Sequence, residues 1–281
     1  MHERIREHLA RLGLNDEAER MQALLAWAHE DKPDYIVLLE RFLAQAAGRR
    51  REKRIERRIA LSGLTVRKTL EAFEWQFQPK LDRAAIEGLA TLEFVNRAED
   101  LVMTGQSGTG KSHILQALAL RACQHELRVR YARCVDLLDD LYAGLADGTY
   151  PRRLARWSRP TLLVLDDVGL GHVRKRDDEP TAAQMLFNLL DHRHLKASTA
   201  ISSNIKLSSW GKYLGDVPLA AALLDRLAMS SIRIDIDGPS YRQHLARVRA
   251  QRGAAAKPAP EKATKERRKR PSRKTRRGQQ S

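Results

Sequence analysis

From Ile5 to Ala46 the apolar residues recur at helical spacing: Ile5, Leu9 and Leu12, then Met21, Leu24 and Leu25, then Ile36, Leu39, Phe42, Leu43 and Ala46. Positions three and four apart share one helical face, so this stretch predicts helices rather than strands. Asp31 before Pro33 suits a helix start, and Gly48 falls where the composition turns from apolar to basic. A connector containing Gly63, Phe73, Phe77 and Pro79 follows, and Asp82 is placed to cap a further helix through Ile86, Leu89 and Phe94.

From Asp100 the pattern changes to short apolar runs alternating with helical ones. Strands are expected at 101–104, 128–132, 161–166, 199–203 and 231–236. Helices are expected at 112–124, 134–146 and 182–195, the last with Thr181 and Gln184 in capping-box spacing. Such alternation predicts the α/β class, with a parallel five-stranded sheet flanked by helices. One more helix fits after Tyr241, to about Gln251. Beyond it the chain has almost no large apolar residue, and a segment that cannot bury apolar surface stays disordered when free. The organisation expected is a helical part at 1–62, a connector at 63–99, a core at 100–251 and a disordered basic tail at 252–281.

Charge sharpens this picture. The chain of 281 residues carries a net +16, and its basicity is concentrated. Residues 253–281 hold eleven lysines and arginines against two glutamates, and residues 49–58 hold seven against two. Two local concentrations point to a polyanionic partner rather than a generally basic surface. Cys123 and Cys134 have no metal-ligand spacing and read as reduced core thiols. His192 and His194 sit where a helix should end, where cations suit the dipole, and no further ligand cluster supports a metal there. The charged N-terminus is no secretory signal and no apolar run spans a membrane, so a soluble, cytoplasmic protein with no membrane partner is expected.

The strongest chemical signal is Gly105-Gln106-Ser107-Gly108-Thr109-Gly110-Lys111-Ser112, a full match to the P-loop pattern. Its glycines let successive backbone N–H groups face phosphate oxygens, Lys111 reaches the outer phosphates, and Ser112 Oγ can hold Mg²⁺. The strand before it and the helix after it aim a helix N-terminus at the anion. ATP and Mg²⁺ are therefore the expected ligands. About fifty residues on, Leu162–Leu165 run into Asp166 and Asp167. Behind a P-loop, Asp166 would hold the Mg²⁺, and Asp167 would orient and deprotonate the attacking water. Asn204 ends the next strand, at the end where ligands bind in such sheets; it can position that water or touch the γ-phosphate, or it can be a turn residue.

The P-loop, the LLVLDD strand, the ISSN strand end, Leu223-Leu224-Asp225-Arg226-Leu227 and Gly238-Pro239-Ser240-Tyr241-Arg242 together resemble the IstB branch of the IstB/DnaC-like AAA+ ATPases. The segments RREKRIERRI, LEAFEW and LEFV, and Trp210 within NIKLSSWGKYLGD, are similar to it as well. The resemblance covers about residues 40–245. It implies an AAA+ core and an ATPase that binds duplex DNA without strong sequence preference. It also implies ATP-dependent homo-oligomers and stimulation of a cognate DDE transposase. On this resemblance Arg226 matches an arginine finger reaching the γ-phosphate of a neighbouring subunit, and Arg242 a second sensor acting within its own subunit. A permanently charged guanidinium suits both tasks. The chain departs in Asp167, where many AAA+ proteins carry Glu. One methylene fewer sets the base back unless the backbone shifts, which bears on the hydrolysis rate and not on ATP binding.

Arg49, Arg50, Arg51, Lys53, Arg54, Arg57 and Arg58 fall on one expected helix with Ile55 and Ile59 on its buried side, a candidate surface for DNA phosphates. The basic tail could be a second DNA anchor, a transposase contact or a solubilising extension. Three other functions remain open: a DnaC-type helicase loader, a nucleotide-gated DNA scaffold with negligible hydrolysis, and a small-molecule P-loop kinase that would leave the basic stretches unexplained.

Overall fold

In the computed structural model, residues 2–173 and 180–255 are described. The chain opens with helices α1 (His2–Arg11), α2 (Asn15–Asp31) and α3 (Tyr35–Ser62), and continues through α4 (Arg83–Leu89) and α5 (Glu93–Asn96). The alternating part follows as β1 (Asp100–Gly105), α6 (Lys111–Gln124), β2 (Val129–Arg133), α7 (Cys134–Ala146), α8 (Tyr150–Ser158) and β3 (Leu162–Val168). It is completed by α9 (Ala182–Arg193), β4 (Ser198–Ser203), α10 (Trp210–Leu214), α11 (Val217–Ser230), β5 (Ser231–Ile236) and α12 (Tyr241–Ala255). The described residues up to Tyr241 form one compact unit and those from Arg242 a second.

All five expected strands pair in one parallel sheet, in the order β2-β3-β4-β1-β5. The strands are apolar almost throughout because both faces are covered, as parallel sheets require. Alternate residues divide the core. Leu163 and Leu165 face α7, α8, α9, α10 and α11, whereas Leu162 and Val164 face α6, the end of α3 and the connector. Phe73, Ile86, Leu89, Leu92, Phe94 and Val95 of residues 63–99 are buried with β1 and α6, so this segment is part of the core's second layer. No described helix is long and apolar enough to cross a membrane.

Two local expectations are corrected. Asp31 ends α2 and starts nothing; the cap of α3 is Asp34, whose Oδ1 accepts from Ile36 N at 2.9 Å. Gly48 marks no boundary, because α3 runs through it to Gly63 as one helix of 28 residues, about 42 Å long. The helical spacing of Ile36, Leu39 and Leu43 is right, yet these side chains are 76, 57 and 54% exposed. Helices α8, α10 and α11 were not foreseen as elements. Helix α12 runs to Ala255, past the residue 251 expected for it, and residues 256–281, which hold most of the expected basic tail, lie outside the described residues.

Between His192 and His194 lies the most deeply buried cation among the described residues. Arg193 is 1% exposed and donates from Nε to Thr199 Oγ1 (3.0 Å), from Nη1 to Ser158 O (2.9 Å) and Pro160 O (2.8 Å), and from Nη2 to Ser198 O. Burial lowers its pKa to about 10, against the attraction of Asp100. One side chain thus satisfies carbonyls at the end of α8 and the start of β4, as a buried guanidinium must.

Candidate nucleotide-binding site

The P-loop joins β1 to α6 with Gly105, Gly108 and Gly110 all at positive φ (+144°, +85° and +104°). All three positions also lack room for a side chain: a Cβ on Gly105 would lie 2.4 Å from Ile236 O, a backbone atom. A Cβ on Gly110 would lie 2.6 Å from the Phe73 ring, and one on Gly108 would lie 2.2 Å from Ser240 Oγ. The loop is therefore seated between the connector and the Gly238–Tyr241 segment. Tyr241 N donates to Gly108 O at 3.0 Å, and Gln78 Nε2 donates to Pro239 O at 2.9 Å. The Phe73 ring meets Trp75 and His113 edge-on, so LEAFEW packs over the start of α6. Within the loop, Thr109 Oγ1 donates to Gln106 O (2.9 Å), and buried Lys111 donates from Nζ to Gly105 O (2.7 Å) and Gln106 O (2.8 Å).

Asp166 and Asp167 stand at an irregularity of β3, where Leu165 pairs with Ile201 but Val168 pairs with Ser203. Three steps on β3 against two on β4 make a bulge, which re-aims side chains. Asp167 takes φ +60° there, a conformation Asp tolerates better than most residues. Its N–H donates to Ser202 Oγ (2.9 Å) and to Asp166 Oδ1 (3.1 Å), and its Oδ1 accepts from Asn204 Nδ2 at 2.8 Å.

Asp166 is 2% exposed and fully engaged. Its Oδ1 accepts from Ser112 Oγ at 3.0 Å and from Ser202 Oγ; its Oδ2 accepts from the Tyr131 hydroxyl. Gln116 Nε2 in turn donates to the Tyr131 hydroxyl oxygen at 3.0 Å. Burial, followed by the charge of Asp166, pushes the Tyr131 phenol well up, so it remains a donor. A hydroxyl and a carboxylate 3.0 Å apart beside an anion-binding loop are hard oxygen donors, and they fit Mg²⁺ carried by a nucleotide.

The structure brings Gly105–Ser112, Asp166, Asp167 and Asn204 to the C-terminal edge of the sheet. Within this chain it places Arg226 elsewhere. Arg226, on α11, pairs with Asp191 of α9 and lies 4.7 Å above the centre of the Phe187 ring. Arg242 belongs to α12 in the second unit. The basic run of α3 is divided. Arg50 Nη2 donates to Leu12 O (2.6 Å), Arg54 pairs with Glu126 at 3.1 Å and Arg51 with the same carboxylate at 3.8 Å, and Arg58 is half-buried, while Arg57 is exposed. Arg49 is half-buried and Lys53 is exposed. Sequence reasoning missed Tyr131, Gln116, Ser202 and Phe73. Their only signal was a polar residue inside a strand, a polar residue one turn past Ser112, and an aromatic in the connector.

The IstB-like ATP binding protein family matches residues 7–249. The ATP-binding protein of insertion sequence IS5376 from Geobacillus stearothermophilus is 31% identical over 252 residues, covering 90% of this chain and 98% of that protein. That of insertion sequence IS21 from Pseudomonas aeruginosa is 33% identical over 234 residues, covering 83% and 86%. Among solved structures, the replication initiator DnaA bound to AMPPCP and single-stranded DNA superposes with a TM-score of 0.51 at 20% identity, over 68% of this chain and 56% of that one. At that identity the likeness concerns the AAA+ fold alone. A family match that runs from the first helix into α12, with two relatives above 30% identity over most of both chains, means that this chain belongs to the IstB-like ATP binding proteins.

Proposed function

We propose that the protein is an ATP-dependent, largely sequence-nonspecific duplex-DNA-binding ATPase that assembles on target DNA and stimulates a partner DDE transposase. The observation that carries the ATPase reading is the 3.0 Å contact of Ser112 Oγ with Asp166 Oδ1 at the foot of the P-loop. The names of its insertion-sequence relatives support the transposition role.

In this reading Ser112 and Asp166 hold Mg²⁺, which neutralises charge on the phosphate oxygens when bound. The loop N–H groups and Lys111 bind the phosphates and fix the γ-phosphoryl group. Asp167 orients the attacking water, with Asn204 engaging Oδ1 so that Oδ2 takes the proton. The bulge under Asp167 is the kind of backbone shift that a carboxylate one methylene shorter than Glu requires. Turnover is slow and rises on DNA. Arg226 serves a neighbouring subunit's γ-phosphate, and Arg242 serves the nucleotide of its own subunit. Residues 1–62 carry DNA binding and assembly, with Arg49, Arg50, Arg51, Lys53, Arg54, Arg57 and Arg58 on phosphates. Residues 63–99 connect them to the 100–251 core.

Steady-state ATPase without DNA, with duplex DNA and with single strands, at two protein concentrations and with Lys111→Ala as control, tests this. Stimulation by duplex that grows with protein concentration is expected. Stimulation confined to single strands would favour a helicase loader, and ATP-dependent DNA binding without hydrolysis would favour a scaffold.

A further inference from the structure

Helix α6 presents two side chains one turn apart on the same face, Ser112 and Gln116. Ser112 Oγ reaches Asp166 Oδ1 directly at 3.0 Å. Gln116 reaches the same carboxylate through an intermediary, donating at 3.0 Å to the Tyr131 oxygen while the Tyr131 hydroxyl donates to Asp166 Oδ2. The two oxygens of Asp166 are thus held from opposite sides, and the carboxylate cannot turn without breaking one contact. Ser202 adds a second donor on Oδ1 but is bound to the Asp167 N–H as well, so it locks β4 to the bulge. Tyr131 is the only one of these donors on β2, one of the two edge strands.

Tyr131 also touches α3. Gly63 caps that helix at φ +85°, and a Cβ there would fall 2.6 Å from Tyr131 O. The backbone of α3 therefore ends directly against the backbone of the residue whose phenol holds Asp166. The same unbroken helix carries the basic stretch 49–58 about one and a half to four turns upstream.

We propose that Tyr131 is a positioning residue for the metal-binding carboxylate and that it ties Asp166 to the basic helix α3, so that a polyanion held on α3 alters Mg²⁺ binding at Asp166. This inference rests on the reading of Ser112 and Asp166 as the Mg²⁺ site. Outer partners of this sort orient a ligand oxygen without touching the metal. The coupling needs no new contact, only a small shift of α3 against β2 that changes the reach of one hydroxyl.

The test is binding of a fluorescent ATP analogue to the full chain, titrated with MgCl₂ and repeated in EDTA, with and without duplex DNA. The proteins are wild type, Tyr131→Phe and Gln116→Leu. In Tyr131→Phe the Mg²⁺ concentration at half effect should rise about ten-fold, the lower end for loss of such a partner. Affinity in EDTA should stay within two-fold of wild type, and the shift of the Mg²⁺ midpoint caused by DNA should disappear. Gln116→Leu should move the midpoint in the same direction by less. A midpoint and DNA response in Tyr131→Phe equal to wild type would overturn the inference while leaving the metal site standing. So would a parallel loss of affinity in EDTA, which marks a merely structural role. A wild-type midpoint that DNA does not move removes the link to α3. Wild-type binding indifferent to Mg²⁺ removes the Ser112–Asp166 reading, and the inference with it.

Discussion

Asn204 Nδ2 donates to Asp167 Oδ1 at 2.8 Å, joining the end of β4 to the bulge of β3. The contact fixes one oxygen of a carboxylate whose backbone is held by Ser202 and Asp166. Asn204→Ala should lower kcat by about ten- to hundred-fold, at most the lower end of the roughly 10²–10⁴-fold that a general base supplies, and leave nucleotide affinity unchanged. Single-turnover hydrolysis beside equilibrium binding separates the two effects, and an equal loss in both would move Asn204 from orienting the base to binding the phosphates.

Gly110 combines positive φ with the Phe73 ring at its open side. Gly110→Ala should abolish nucleotide binding and lower stability by roughly 1–2 kcal/mol from the left-handed backbone alone. Phe73→Ala in the same chain should recover only part of it, because it relieves the clash and leaves the φ penalty. Thermal shift with and without ATP reads both quantities.

Arg193 should be among the costliest substitutions outside the site. Arg193→Met orphans carbonyls of Ser158, Pro160 and Ser198 and takes from buried Asp100 one of its two nearby cations, leaving His194. A loss of about 3–5 kcal/mol is expected, because several buried acceptors lose their donor at about 1–3 kcal/mol each. Urea unfolding measures it. Replacing His192 or His194 by Gln should cost far less.

Arg226 lies against Asp191 and Phe187 of its own chain, so its proposed task in a neighbour's site predicts complementation. Arg226→Ala and Lys111→Ala should each be inactive alone. Their mixture should regain partial ATPase, since some junctions pair an intact P-loop with an intact finger. Failure at every mixing ratio would confine Arg226 to a structural salt bridge.

The two thiols give a pH prediction. Burial pushes Cys123 up to about 11 and Cys134 up to about 12, from an ordinary value near 9. Folded pKa values above the unfolded ones mean a contribution present in full below about pH 9 and lost as pH rises toward 11–12. Stability should therefore fall on the alkaline side, and Cys134→Ala should flatten the fall. At pH 8 only about one Cys123 in a thousand is thiolate, so both residues should resist a thiol reagent until denaturant is added.

How far the sequence alone carries this protein depends on the range of the interactions involved. The strands at 101–104 and 161–166 and the helices at 112–124 and 134–146 were legible because period and capping are set within a few residues. The P-loop was legible for the same reason: its glycines answer to local φ, whatever surrounds them. Asp166 and Asn204 could be named because strand ends share one edge of a parallel sheet.

Only the tertiary structure could decide what these residues meet. That Phe73, 37 positions before Gly110, closes the P-loop follows from where the connector packs, and nothing in its spelling fixes that contact. Tyr131 and Asp166 come together through the pairing of β2 with β3, and Arg193 finds its carbonyls only once α8, α9 and β4 converge. The exposed stripe of Ile36, Leu39 and Leu43 shows the same limit from the other side. Periodicity states that a face exists; whether another element covers it is a long-range fact that the chain settles only on folding.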